Sequence, residues 1–220
     1  MVIIMNEFLC IAVTAIASYL FGSFNSALIV CRLLKHDDIR KYGSKSAGLT
    51  NVLRVYGKIP ALITLLCDLF KGVIAVVLAR FIVTDVLGVL FFGDDLFIGY
   101  VAGFCVVLGH VFPLYYGFKG GKGVLTACTT MLAVDPIATL LCLAIFIIIV
   151  SITKYVSLGS IVSIIAYPFF TGINQAVRGF NGIWINIVFA ILLAVLIVYK
   201  HKANIIRLKN HEENKLSFKK

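Results

Sequence analysis

A lysine-glycine run, FKGGKG at 118–123, lies between one long apolar stretch and another that begins at Val124. Glycines leave backbone N–H groups approachable, a helix start adds positive partial charge, and Lys119 and Lys122 add two ammonium groups. Together these suit a phosphate, with Lys119, Gly120, Gly121, Lys122 and Gly123 as the binding loop. The run is not a Walker A loop, which would need glycine where Tyr116 stands and Ser or Thr where Gly123 stands. The plainer alternative is a flexible positive turn joining two membrane spans.

Three further clusters stand at the ends of apolar stretches. GSKSAGLTNVLR at 43–54 offers Ser44, Ser46, Thr50, Asn51 and Arg54 on a backbone that glycines make approachable. Arg54 can grip a phosphate in bidentate fashion and the hydroxyls can donate to the same oxygens, although the stretch could equally be an interfacial loop capping a helix. TKYVSLGS occupies 153–160, and KHKANIIRLKNHEENK occupies 200–215. In the last, His201, Asn204 and Arg207 recur every third residue and would share one helix face, as a substrate-orienting stripe or as part of a basic anchor. Asp68 and Lys71, three apart inside an apolar stretch, are costly in hydrocarbon unless paired or facing a polar cavity, and His110 is likewise a polar tie or a cavity residue. There is no GxSxG, no HExxH, and no His followed five residues later by Asp, because His36 leads to Lys41 and His110 to Tyr115. The usual His-plus-acid base for acyl transfer to a hydroxyl is therefore missing.

The elements that must position these residues are membrane helices. With 61% apolar and 14% charged residues and a mean hydropathy of +1.04, the 220-residue chain lies outside the range of soluble domains. Apolar runs predict spans near 8–30, 59–83, 96–116, 137–152, 157–173 and 183–199. A short run at 123–134 ends at Asp135-Pro136. At about 18 Å of helix it is short for a crossing. Counting it as one makes about seven transmembrane helices, with the N-terminus outside, the C-terminus cytoplasmic, and 17 of the 20 Lys and Arg residues on the inner face. The fold expected is all-α and polytopic, one domain over 1–220. Inner-face lysines account for the net charge of +10 without nucleic acid. Residues 1–31 hold no Lys or Arg, so the first stretch reads as a retained span and not a cleaved signal. Six scattered cysteines support neither disulfides nor a metal site.

Read together, GSF at 22–24, DIRKYGSKSAGLTNVLRVYG at 38–57, DLFKG at 68–72, GHVFPLYYGFKGGKGVLT at 109–126, YVSLGSI at 155–161 and HKANIIRL at 201–208 resemble the acyl-phosphate-dependent glycerol-3-phosphate acyltransferases of bacterial membranes, the PlsY family. The resemblance implies transfer of a fatty acyl group from acyl phosphate to the 1-hydroxyl of sn-glycerol 3-phosphate, giving lysophosphatidic acid and inorganic phosphate. It implies no cofactor or metal. Its setting would be the cytoplasmic (inner) membrane of a bacterium, with the active site on the cytoplasmic face and a functional link to the enzyme that makes acyl phosphate. Ser44 and Arg54 carry over as essential, the FKGGKG loop as phosphate-binding, His201 and Asn204 as active-site residues, and Glu213 as an acid needed for structural integrity. Lys45 and His211 stand where the family usually has glycine, Ser46 where it has Asn, and Glu212 where it has Thr.

Residues and resemblance meet on a mechanism in which Ser44, Arg54, Lys122, His201 and Asn204 hold the phosphates and a substrate phosphate takes the hydroxyl proton. A transporter of a phosphorylated metabolite is the alternative. It would more naturally place its charges around a midplane site between inverted repeats, and no such repeats are visible.

Overall fold

The computed structural model describes residues 7–216. Lys219 and Lys220 of the basic tail lie outside the described residues. The described chain is helical, with a single isolated bridge between Phe91 and Asp94 in place of any strand. The helices are α1 (Glu7–Gly22), α2 (Ser26–Lys35), α3 (Leu49–Tyr56), α4 (Lys58–Arg80), α5 (Leu96–Val111), α6 (Val124–Val134), α7 (Pro136–Thr153), α8 (Val156–Arg178), α9 (Ile183–Lys200) and α10 (Lys202–Lys209). Six stretches among the described residues are long and apolar enough to cross a membrane, and α6 is a shorter apolar helix. The chain gathers into two compact units divided between Val134 and Asp135.

In the first unit, the run expected to cross as one helix over 8–30 is broken. It forms α1 and α2, parted at Ser23–Asn25. Asn25 adopts extended backbone and its side chain accepts from Leu28 N–H at 3.1 Å, so it caps α2 as cap residues do. Ser23 is occupied similarly: its hydroxyl donates to Tyr19 O at 2.9 Å and accepts from Leu114 N–H at 3.2 Å. α4 runs on through a π-helical turn, Phe81–Val86. α5 stops short of the expected 116, because Pro113 cannot continue it, and a 3₁₀ turn at Leu114–Tyr116 follows.

Within lipid the hydrophobic effect does little to join helices, so close contact between small residues matters. α1 crosses α5 where Gly22 meets the Val106 carbonyl and Gly109 meets the Tyr19 carbonyl, with no room for a Cβ at either place. Gly72 of α4 meets Thr129 of α6 in the same way. Tyr19 Oη also donates to Phe112 O at 2.9 Å. Ala27, Leu28, Cys31, Ile39, Ala47, Val52 and Ala61 form a buried cluster beneath the first loop.

The second unit packs α7 on α8 and α8 on α9, with α10 against both α8 and α9. Asp135 caps α7 by accepting from Ala138 N–H at 3.2 Å, with Pro136 as the first helical residue, and it also accepts from Asn174 Nδ2 of α8 at 2.7 Å. Asn186 Nδ2 donates to Gln175 Oε1 at 3.0 Å, a polar tie between α9 and α8. Large side chains such as Phe70, Ile74, Ile148, Ile152, Ile191 and Val195 stay exposed, as lipid-facing residues should.

Gly109→Val is expected to wedge α1 from α5 and lower the melting temperature of the detergent-solubilised protein. The cost should match or exceed the ~1–3 kcal/mol of ordinary overpacking, because the obstruction is backbone.

Candidate active site

The first loop is shaped from inside by Asn51. Its buried amide donates to Tyr42 O at 3.0 Å, Ser46 O at 3.1 Å and Ile39 O at 3.3 Å, while its Oδ1 accepts from Ser44 N–H at 2.9 Å. Expected among the phosphate ligands, Asn51 instead has its donors taken up by the loop's own carbonyls. This wrapping leaves Ser44 at the exposed tip, between Gly43 (φ 55°) and Lys45 (φ 57°). Thr50 and Arg54, four residues apart, share the exposed face of α3.

The glycine loop 118–123 is folded back on the end of α5. Gly120 N–H donates to Val111 O at 3.2 Å and Gly121 N–H to His110 O at 3.3 Å. Those two N–H groups, expected to receive phosphate, are therefore already used. The glycines serve close approach instead: a Cβ at Gly120 would strike the His110 carbonyl, and one at Gly121 would lie 2.5 Å from His110 Nε2 and 2.6 Å from Ala47 O. What the loop offers an anion is the exposed Lys119, the half-buried Lys122 and the opening turn of α6, whose first N–H groups precede the helix's own bonding.

Two residues that sequence reasoning missed bind the loops together. Asp38 caps the 3₁₀ turn Ile39–Lys41, accepting from Arg40 N–H at 2.9 Å, and holds the Arg40 guanidinium at 2.6 Å. The other edge of that guanidinium donates to Tyr116 O at 3.0 Å and Lys119 O at 3.1 Å. The Arg40 side-chain hydrogen bond keeps the Asp38 carboxyl below the usual carboxylate range, against the opposing effect of burial. The only signal for this clamp was an Asp and an Arg two residues apart in a loop already singled out.

Below the loops lie Asp68, Lys71 and His110, all buried. Lys71 Nζ stands 3.1 Å from Asp68 Oδ1, 3.2 Å from His110 Nδ1, 3.2 Å from Phe24 O and 3.5 Å from Gly22 O. His110 Nδ1 is 3.5 Å from Asp68 Oδ1. Asp68 and Lys71 are thus paired within α4, and His110 ties α5 to that pair.

In the second unit, His201 is buried at the junction of α9 and α10, its Nδ1 at 2.8 Å from Ile197 O. A carbonyl only accepts, so the proton sits on Nδ1 and Nε2 is the basic nitrogen of the neutral ring. Glu213 collects its neighbours: Asn204 Nδ2 at 2.8 Å, Ser157 Oγ at 3.0 Å and Arg207 Nε at 2.8 Å. Burial acts to raise the Glu213 pKa, but donors from Asn204, Arg207 and Ser157 outweigh it and hold the carboxyl below its ordinary value. The chain beyond follows the α7–α8 turn, with Leu216 N–H on Lys154 O at 2.7 Å. TKYVSLGS thus gains a use that its sequence had not disclosed, anchoring the tail. His211, with φ 59°, forms the left-handed end of α10: its N–H donates to Leu208 O at 3.2 Å and that of Glu212 to Arg207 O at 2.8 Å, a Schellman turn made without glycine.

A family model described as glycerol-3-phosphate acyltransferase matches residues 12–211. The glycerol-3-phosphate acyltransferase of Clostridioides difficile is 43% identical over 208 residues, covering 94% of this chain and 96% of its own. That of Chlorobaculum tepidum is 38% identical over 231 residues, covering 97% and 98%. Among solved structures, the crystal structure of PlsY (YgiH), an integral membrane glycerol 3-phosphate acyltransferase, in its glycerol 3-phosphate form matches with a TM-score of 0.79 at 33% identity, over 94% of this chain and 96% of that one. Fold and likeness together define a polytopic α-helical membrane acyltransferase. The chain belongs to the glycerol-3-phosphate acyltransferase family of PlsY.

Lys45→Gly and His211→Gly should each stabilise the protein by about 0.5–1 kcal/mol, since both side chains sit in left-handed backbone that glycine adopts freely; thermal unfolding in detergent reads this. Glu213→Gln should lose about 1.5–3 kcal/mol at pH 7. The folded carboxyl titrates below the unfolded one, so its contribution is full above about pH 4.3 and disappears as pH falls through the folded pKa. The gap between variant and parent melting temperatures should close over that acidic window.

Proposed function

We propose that the protein transfers a fatty acyl group from acyl phosphate to the 1-hydroxyl of sn-glycerol 3-phosphate, releasing lysophosphatidic acid and inorganic phosphate. The observation that carries this reading is the surface of the first unit. There the exposed Ser44 of the first loop, and Thr50 and Arg54 on the helix α3 that follows it, stand in a segment clamped by Arg40 onto the loop that bears Lys119 and Lys122. Hydroxyl, guanidinium and two ammonium groups suit phosphate-bearing substrates at a membrane surface. Positioning and charge stabilisation are then the main contributions required, because acyl phosphate brings its own leaving group.

The hydroxyl oxygen attacks the acyl carbonyl carbon, and the bond between that carbon and the phosphate oxygen breaks. The hydroxyl proton passes to a substrate phosphate, whose second pKa of about 6 makes it a base at neutral pH. No acyl-enzyme forms. Ser44, Arg54 and Lys122 orient phosphate, Lys119 supplements their charge, and His201 and Asn204 serve as active-site residues in the second unit. The predominance of Lys and Arg in the loops assigned to the inner side supports a cytoplasmic active site in the bacterial inner membrane, with the N-terminus outside. The donor is lipid-borne or handed over by the enzyme that makes it.

Purified protein in detergent, given labelled glycerol 3-phosphate with acyl phosphate, acyl-CoA or acyl carrier protein in parallel, tests this. Lysophosphatidic acid is expected from acyl phosphate alone. Ser44→Ala and Lys122→Ala should each lower kcat/KM by about 10²–10³-fold while remaining folded. Product from a thioester donor would refute the donor assignment, and an acyl group trapped on Ser44 would refute the mechanism. Counterflow of glycerol 3-phosphate in proteoliposomes without product would point to transport.

A further inference from the structure

We propose that His110, held by Asp68 and Lys71, is a positioning residue that sets the glycine loop against the first loop. This rests on reading 118–123 as the phosphate loop. Three polar side chains buried within membrane helices are expensive, and an ion pair alone would join only neighbouring turns of α4, which needs no such join. The geometry reaches further. Lys71 Nζ faces the Phe24 carbonyl at 3.2 Å and the Gly22 carbonyl at 3.5 Å, where α1 breaks, and so fixes α4 to that break. His110 Nδ1 lies 3.2 Å from Lys71 Nζ and 3.5 Å from Asp68 Oδ1, so both members of the ion pair hold that edge of the ring, and Nε2 is left as its other polar edge.

That second nitrogen faces the loop: a methyl group added at Gly121 would lie 2.5 Å from it. The same methyl would lie 2.6 Å from Ala47 O of the first loop. The His110 carbonyl accepts Gly121 N–H at 3.3 Å and stands 3.4 Å from Asn25 Nδ2, which is also 3.5 Å from Ala47 O. The α1–α2 break, α4 and the glycine loop thus meet at one histidine of α5, and Ala47 of the first loop lies against the same Asn25 and Gly121. A slip of the glycine loop by an ångström would displace Lys119 and Lys122 from their phosphate, and such slips cost about 100-fold in rate.

The two ring nitrogens can be tested separately. His110→Asn keeps a polar atom near the Nδ1 position for Lys71 but cannot reach Gly121. The expected result is a melting temperature near the parent's, kcat/KM lower by about 100-fold, and faster hydrogen exchange at the Gly120 and Gly121 amides. His110→Gln reaches towards Gly121 while abandoning Lys71, and should melt earlier yet keep kcat/KM within tenfold of the parent. A folded His110→Asn protein with parental kinetics and exchange overturns the proposal. If that variant does not fold, a folded His110→Gln protein as inactive as Lys122→Ala overturns it, and one that retains activity supports it. Lys122→Ala in the same assay separates the two readings: full activity there removes the phosphate loop itself, whereas its loss alongside an active His110→Asn removes only the positioning role.

Discussion

In a lipid interior every backbone carbonyl needs a donor, and a helix broken there needs one most. The α1–α2 break at Ser23–Asn25 meets that constraint with Lys71, whose ammonium faces the Gly22 and Phe24 carbonyls. An ammonium in that place in turn requires Asp68, and His110 Nδ1 stands beside both members of the pair. The break then presents Asn25 to Ala47 and His110, and the loops take their places from there. Removing any one partner would leave the others as unsatisfied polar groups in a medium that offers no water to replace it.

Glycine contributes in two physically separate ways. At Gly22, Gly109 and Gly121 it is the missing Cβ that matters, because the neighbouring atoms are backbone or a fixed imidazole. At position 45 and position 211 it is the left-handed backbone that matters, and there this chain keeps the conformation with Lys and His. The FKGGKG run belongs mainly to the first kind: its central glycines pack against α5 and spend their N–H groups there, so the proposed phosphate site rests on the lysines and the start of α6.

The sequence was legible where one physical signal dominated. Runs of apolar residues marked the spanning helices and Asp135-Pro136 marked the start of α7, whereas the single helix face expected for His201, Asn204 and Arg207 is split, since α10 carries Asn204 and Arg207 and His201 stands at its junction with α9. The cost of charge in lipid singled out Asp68 and Lys71 before any partner was visible. Side chains bonded to distant backbone stayed hidden, because a motif does not state which carbonyl will come to it. Arg40 reaching Tyr116 and Lys119, Asn51 turned inward, and Ser157 meeting Glu213 are of that kind. The break in the first apolar run had a local signal in Ser23 and Asn25, both of cap-forming type, but the continuous hydropathy around them outweighed it.

One feature of α6 bears on how the site is powered. With eleven residues it rises only about 17 Å, so its two ends are close. At the far end Arg80, paired with Asp95, donates to the Ala133 carbonyl at 3.0 Å and quenches part of the negative pole. The near end keeps its positive half-charge beside Lys122. The helix is therefore an asymmetric electrical element set in a poor dielectric, grounded on one side and live on the side that faces the lysine-bearing loop.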